Sequence, residues 1–292
     1  MPGPACGTYL PVSMAPLALL LPLAVALAAQ PPAPAPLLRA LSERPAGRER
    51  AVAATAPLLG RRYLLSPLGE GTGPDPDPRF RLDAFDCVTF VETAIALGNA
   101  SDLAQAARAL DDVRYDGPPA FDRRLHYVIP QWIPANLAHG WVEDVADAVA
   151  GGETVDADER YDDERWRVLA RAGAALRHLS PEAWPRGTFR ARMVPLARVL
   201  PLASRIPDGT IAWVVREERP DRPTRVTHGG LVVVGPGGER RVRHASSSAG
   251  ATRVVEEPLA RFLRRQELAS PRWPVAGLLL LRIRDNRARL GG

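Results

Sequence analysis

The sequence predicts an α+β fold, and three observations carry that expectation. In the first half, apolar residues recur at helical spacing, most clearly over residues 86–97. In the second half the pattern changes to short runs rich in Val, Ile and Leu, bounded by Gly and Pro turns. Helices come first and strands follow, so the sheet is expected to be antiparallel and not wound from βαβ units.

The N-terminal segment reads as an address. Residues 1–38 carry no charged side chain, and residues 14–29 form one apolar run. That run suits a secretory signal and is short for a membrane span of about 20 residues. Ala26 and Ala28 supply the small residues of a cleavage site, and Met14 offers an alternative start. Residues 1–29 are therefore expected to be a signal peptide and 30–38 a Pro-rich spacer. Residues 39–285 then form the catalytic domain, followed by a tail over 286–292. The mature protein is expected to be periplasmic or secreted, with no stable membrane insertion after leader cleavage.

The elements follow in order. Residues 39–59 predict a helix with Leu41, Val52 and Leu58 inward, ended by Gly60. Residues 69–78, GEGTGPDPDP, exclude regular structure. Residues 86–97 place Val88, Val91 and Ile95 on one helical face, with Asp86 as N-cap and Gly98-Asn99 as stop. Residues 101–110 and 163–179 read as further helices, the second with Trp166, Leu169 and Leu176 inward. Strands are expected over 210–215, 228–234, 239–244, 252–255 and 277–283, with a hairpin turn at 235–238 and a helix over 258–268.

Composition bounds the function. A hydrophobic content of 46% with 24% charge belongs to a globular chain. All 38 basic residues are arginine, and the net charge is +5. Arginines alternate with acids, as in residues 156–167, DADERYDDERWR, which reads as a solvated helix face. No nucleic-acid partner is expected from such a pattern. The 2 cysteines, Cys6 and Cys87, exclude a disulfide-rich scaffold and a four-thiolate zinc site. Leader removal takes Cys6 and leaves Cys87.

Cys87 falls in the first turn of a predicted helix, where free N–H groups and the helix dipole favour a thiolate. A buried structural thiol is the alternative. His228 and His244 lie on one predicted hairpin. A three-residue loop over 235–237 would pair Val234 with Gly238 and set His228 opposite His244, with Cβ atoms about 4.5–5.5 Å apart. An even loop would place them on opposite faces. On one face, His228 has the geometry to accept the Cys87 proton and His244 to orient His228; two ordinary strand-end histidines are the alternative. No CxxC or HExxH is present, so no metal is expected.

Around Phe85-Asp86-Cys87-Val88-Thr89-Phe90-Val91-Glu92 the sequence resembles the NlpC-type cell-wall cysteine hydrolases, and within them the N-acetylmuramoyl-L-alanine amidase-like branch. Further similar stretches follow the family order: Gly60-Arg61-Arg62-Tyr63 with Pro67-Leu68-Gly69-Glu70, Arg124-Leu125-His126-Tyr127 with Trp132, Asn136 and Gly140, Ile206-Pro207-Asp208-Gly209, and Thr227-His228-Gly229-Gly230 with His244-Ala245-Ser246. The resemblance implies a papain-like α+β core, with the nucleophile helix packed on an antiparallel sheet. It implies Cys87 as nucleophile, His228 as base and His244 as third polar residue, with no cofactor. The implied reaction cleaves the amide between the lactyl group of N-acetylmuramic acid and L-Ala in peptidoglycan fragments. A γ-D-glutamyl-diamino-acid endopeptidase and an inactive peptidoglycan-binding module are the alternatives. Tyr63, Asp86, Tyr127, Trp132 and Asn136 are the candidate substrate-binding residues. Gly229 stands where the family often has Val, and Thr210 where it often has Asp.

Overall fold

The computed structural model describes residues 33–167, 178–219, 221–222, 224–248 and 251–291, and the backbone of 168–172. The expected signal peptide, residues 1–29, lies outside the described residues. No helix among the described residues is long and apolar enough to cross a membrane.

Among the described residues the α-helices are α1 Ala35–Glu43, α2 Arg48–Thr55, α3 Cys87–Asn99, α4 Leu103–Arg114, α5 Ile133–Ala138, α6 Ala146–Ala150, α7 Asp163–Ala172, α8 Leu196–Val199 and α9 Leu259–Ala269. The strands are β1 Arg62–Tyr63, β2 Ala84–Phe85, β3 Val142–Asp144, β4 Val155–Asp156, β5 Glu159–Tyr161, β6 Gly187–Phe189, β7 Arg192–Pro195, β8 Thr210–Arg216, β9 Val226–Val234, β10 Arg240–Ser246, β11 Arg253–Pro258 and β12 Val275–Ile283. The main sheet runs β2-β1-β11-β10-β9-β8-β12-β7-β4, with β3 also on β12; β5 and β6 pair separately. Among the described residues, β1 and β2 pair in parallel and every other strand pair is antiparallel. The fold is mixed α+β, built on an antiparallel sheet.

Both faces of the central strands are covered. Ile211, Trp213, Leu231, Val233, Leu279 and Leu281 pack with the apolar sides of α1 to α4. Ala212, Val214, Val232, Val242, Leu278 and Leu280 pack with α6, α8 and α9. Two-sided burial explains why β9 and β12 read as continuous apolar runs instead of alternating ones.

Several expectations shift. The helix expected over 39–59 is two helices and a 3-10 turn, Ala56–Leu58. Pro45 is the cause: it pushes Arg44 to an extended conformation (φ −91°, ψ 145°) that ends α1. Gly47, at φ 85°, then starts α2 and donates to the Gly98 carbonyl at 2.7 Å. Gly98 extends α3 instead of stopping it, because the missing Cβ admits that contact; a Cβ there would lie 2.8 Å from the Gly47 oxygen. Helix α1 begins inside the expected spacer, with Leu37 fully buried. The expected tail is held too: Asn286 donates from its backbone to Asn99 Oδ1 (2.7 Å) and from its side chain to the His139 carbonyl (2.8 Å). Of the helix expected over 163–179, α7 covers Asp163–Ala172, residues 173–177 lie outside the described residues, and 178–179 are not α-helical.

Candidate active site

The site begins with the cap of α3. Asp86 Oδ1 accepts from the Thr89 N–H and hydroxyl, each at 2.8 Å, and the Asp86 N–H donates to Thr89 Oγ1 at 3.0 Å. This is a capping box with Thr at the third position. The second oxygen, Oδ2, accepts from the Ser66 N–H at 3.0 Å. Segment 62–66 is held there because β1 runs parallel to β2, pairing Tyr63 with Phe85. The same cap that starts the helix thus ties down the strand carrying Tyr63.

Cys87 follows as the first helical residue, half-buried. Its sulfur faces the backbone N–H groups of Gly229, Val88 and Cys87 itself, all of which favour a thiolate. Burial acts the other way and is the larger effect, and the Asp86 charge adds to it. Together they push the thiol up to about 12. The thiolate expected from the helix start is therefore not the resting form. The Tyr63 hydroxyl hydrogen-bonds to Ser247 and lies within electrostatic reach of Cys87 and Asp86; burial pushes it up to about 12.

The two histidines share a face, by a different register from the expected one. The β9–β10 loop spans 235–239, closed by the Gly235 N–H donating to the Glu239 carbonyl at 2.9 Å, and Val234 pairs with Arg240, not with Gly238. The loop is still odd, so the parity holds although 228 no longer opposes 244. Pairing of β9 with β10 ends at Leu231–Arg243, before it reaches His228. On the other side, the β8–β9 register shifts around Thr227. Gly229 therefore has no β10 partner at the level where its N–H meets the Cys87 sulfur.

His228 Nε2 lies 2.8 Å from His244 Nδ1, and His244 Nε2 lies 3.1 Å from Glu257 Oε1. Glu257 Oε2 is held in turn by Arg265 at 3.0 Å and Arg261 at 3.3 Å. A carboxylate can only accept, so His244 Nε2 donates to it. With both rings neutral, His244 Nδ1 then accepts from His228 Nε2–H, which leaves the lone pair of His228 on Nδ1. Both rings pack on Phe262 of α9, with centroids 5.7 and 5.0 Å away. Burial, then the neighbouring His244, lowers His228 to about 3, so the ring is neutral and able to take a proton. Glu257 stays ionised, because His244 and Arg265 outweigh its burial and lower it.

The structure brings Tyr63, Asp86 and Cys87 together, and sets His228 and His244 in one row beside Gly229. It places the other three candidates elsewhere. Trp132 is fully buried, edge-on to Trp213 at 5.4 Å. Asn136 is fully buried and donates to the carbonyls of Val113 (3.1 Å) and Trp132 (2.9 Å). Tyr127 packs in an aromatic cluster with Tyr161 and Trp166. These three build core, not cleft wall. His126 is likewise committed, donating from Nε2 to the Phe121 carbonyl at 2.8 Å. Glu257 is the residue that sequence reasoning missed. Its signal was the charge pattern: Arg243-His244 on one strand faces Glu256-Glu257 on the next, with Arg243 opposite Glu256.

Gly229 has a steric reason as well. A Cβ there would lie 2.2 Å from the Trp213 ring, so Trp213 occupies the space that a valine would need.

Comparison with known proteins bears on the fold and the family. A solved Legionella pneumophila protein of the DUF1460 family is 21% identical, with 81% of this chain and 88% of that one covered, at a TM-score of 0.69. A solved N-acetylmuramoyl-L-alanine amidase from Bacteroides uniformis is 21% identical, covering 78% of this chain and 94% of its own, at a TM-score of 0.59. At these identities the likeness is one of fold. No curated protein matches the chain. The AmiA-like family model, described as N-acetylmuramoyl-L-alanine amidase-like, matches residues 53–269. The chain belongs to this AmiA-like, N-acetylmuramoyl-L-alanine amidase-like family.

Proposed function

We propose that the protein is a cysteine amidase of the cell wall, built on a papain-like core, that cleaves the N-acetylmuramoyl-L-alanine bond of peptidoglycan fragments. The observation that carries this reading is the row His228–His244–Glu257, which ends beside the Gly229 N–H facing the Cys87 sulfur.

The resting pair is a neutral thiol and a neutral imidazole, so proton transfer accompanies attack and does not precede it. Cys87 Sγ attacks the lactyl carbonyl carbon while its proton passes to His228 Nδ1. Backbone N–H groups of Cys87, Val88 and Gly229 surround the position where negative charge develops on oxygen. His228 returns the proton to the leaving nitrogen of L-Ala, the C–N bond breaks, and a thioester remains. Water, activated by the same ring, releases the lactyl carboxylate and the thiol. Tyr63, tied to Ser247, lines the approach to the sulfur. The expected leader assigns this work to the periplasm or the exterior.

The test is digestion of defined muropeptides, read by mass spectrometry. Wild type is expected to leave a free lactyl carboxylate on the sugar, and Cys87→Ala to leave the substrate intact. Release of an L-Ala-D-Glu dipeptide from the sugar-free stem would assign the endopeptidase activity instead. No cleavage by wild type would overturn the enzyme reading and leave a binding module.

A further inference from the structure

Strand β9 changes face partway along. From His228 onward its alternation is regular. Leu231 and Val233 pack in the core on the α3 side, and Val232 in the core on the α9 side. Gly229 meets Trp213 of the first core, and His228 stacks on Phe262 of the second. In a regular strand, residues two apart share a face. Val226 breaks that rule: it lies two residues before His228, yet it belongs to the α3-side core, opposite Val215. His228 pairs with Val214 and Val226 with Val215, so Thr227 is an extra residue in β9, a β-bulge. Without it, a strand with Val226 in the same core would turn His228 toward α3, away from His244 and Phe262.

One residue of β8 brackets this bulge. The Arg216 N–H donates to the Arg225 carbonyl at 2.9 Å, ahead of the extra residue. Arg216 Nε donates to Thr227 Oγ1 at 3.1 Å, on the extra residue itself. The rest of the guanidinium is fixed by the carbonyls of Trp273, Ser270 and Gln266, the last at 2.6 Å. Thr227 is therefore tied to a buried side chain with no freedom to swing. Upstream, Glu159 accepts from the Arg225 N–H and from the Thr224 hydroxyl, the latter at 2.8 Å, so the chain enters the bulge from a fixed point. Downstream come His228, whose Nε2 lies 2.8 Å from His244 Nδ1, and Gly229. A bond of that length between two rings depends on their angle and is lost on a modest rotation.

We propose that Arg216 is a positioning residue for the His228–His244–Glu257 row. By holding Thr227 as the bulged residue, it keeps His228 on the α9 side with Nε2 toward His244. The catalytic consequence rests on the amidase reading; the placement of His228 rests on the strand register and the Arg216–Thr227 bond.

Arg216 also ties β8 to α9, so the variants are made at Thr227, an exposed position. Thr227→Val keeps the branched shape and removes the acceptor for Arg216; Thr227→Ser keeps the acceptor. The first readout does not depend on cleavage: nitrogen NMR of His228 in the full chain. Wild type is expected to show the Nε2–H form, Thr227→Val a mixture of tautomers, and Thr227→Ser the wild-type form again. Urea midpoints are measured alongside. A contact that only stabilised the fold would lower the midpoint of Thr227→Val and leave the tautomer alone. A wild-type tautomer in Thr227→Val, whatever its midpoint, would therefore overturn the proposal. Muropeptide cleavage is read separately. Thr227→Val is expected to lower kcat about tenfold with KM little changed, the size of one lost hydrogen bond to a charged group. A tautomer mixture in Thr227→Val without cleavage by wild type sinks the amidase reading and keeps the positioning role. Cleavage by wild type with an unaltered tautomer in Thr227→Val does the reverse.

Discussion

At the scale of single residues, the site is governed by desolvation more than by the helix dipole. The N–H groups at the start of α3 favour a thiolate, yet burial and Asp86 push Cys87 up to about 12. The compensating feature is His228, kept neutral and oriented through His244 by Glu257. In the proposed mechanism Glu257 acts only through His244, as a positioning residue. Glu257→Gln is expected to lower kcat about 10²-fold, the size of a lost general-base contribution, with KM little changed. A purely structural loss would not alter which nitrogen carries the proton. The deciding readout is therefore nitrogen NMR of His228: the Nε2–H form in wild type, a mixture of tautomers in the variant. Wild-type kcat and an unchanged tautomer in Glu257→Gln would refute the role.

At the scale of elements, the glycine pair of β9 sets how closely its neighbours approach. Gly229 meets Trp213 on the α3 side, and a Cβ at Gly230 would lie 2.9 Å from the His244 Cβ on the α9 side. Gly229→Val is expected to destabilise the fold by about 1–3 kcal/mol through overpacking, because Trp213 is itself wedged against Trp132. Adding Trp213→Leu should recover part of that loss, a non-additivity measurable by urea unfolding. Full stability of Gly229→Val would mean that the ring yields freely. These contacts mark the limit of what the sequence conveys. Helix α3, its Asp86 cap and the five long strands β8 to β12 were legible, because cap chemistry, helical period and apolar runs are local signals. The break at Pro45 was equally local, but the apolar positions on both sides masked it. Strands β1 to β7, of two to four residues, are too short to show a period. The burial of Trp132 and Asn136 and the partnership of Glu257 with His244 depend on which chain lies across the sheet. No spacing within one segment reports that. The shared face of His228 and His244 was legible only as a condition on loop parity, and the loop met the condition with a different register.

At the scale of the whole molecule, packing encloses titratable rings that an open chain would leave in water, His228 on the sheet and His126 against Phe121 in the loop after α4. Burial lowers His228 to about 3 and His126 to about 4, both below the ordinary value of 6.5. A base whose affinity for protons falls on folding is neutral in the native chain where the unfolded chain is charged. Stability is therefore complete above pH about 6.5 and declines as the pH falls toward the folded values. Each ring contributes a slope of up to about 1.4 kcal/mol per pH unit across that window. Glu92, raised by burial beside Arg114, opposes the decline, since it takes up a proton more readily folded than unfolded. Urea midpoints measured between pH 7 and pH 4.5 are expected to fall steadily. His126→Gln keeps a donor for the Phe121 carbonyl and removes one titrating ring, so it should roughly halve the slope while leaving catalysis in place. A midpoint that stays flat from pH 6.5 to pH 5 would show that these rings are solvated in the native protein, and with them the face of the sheet that carries His228.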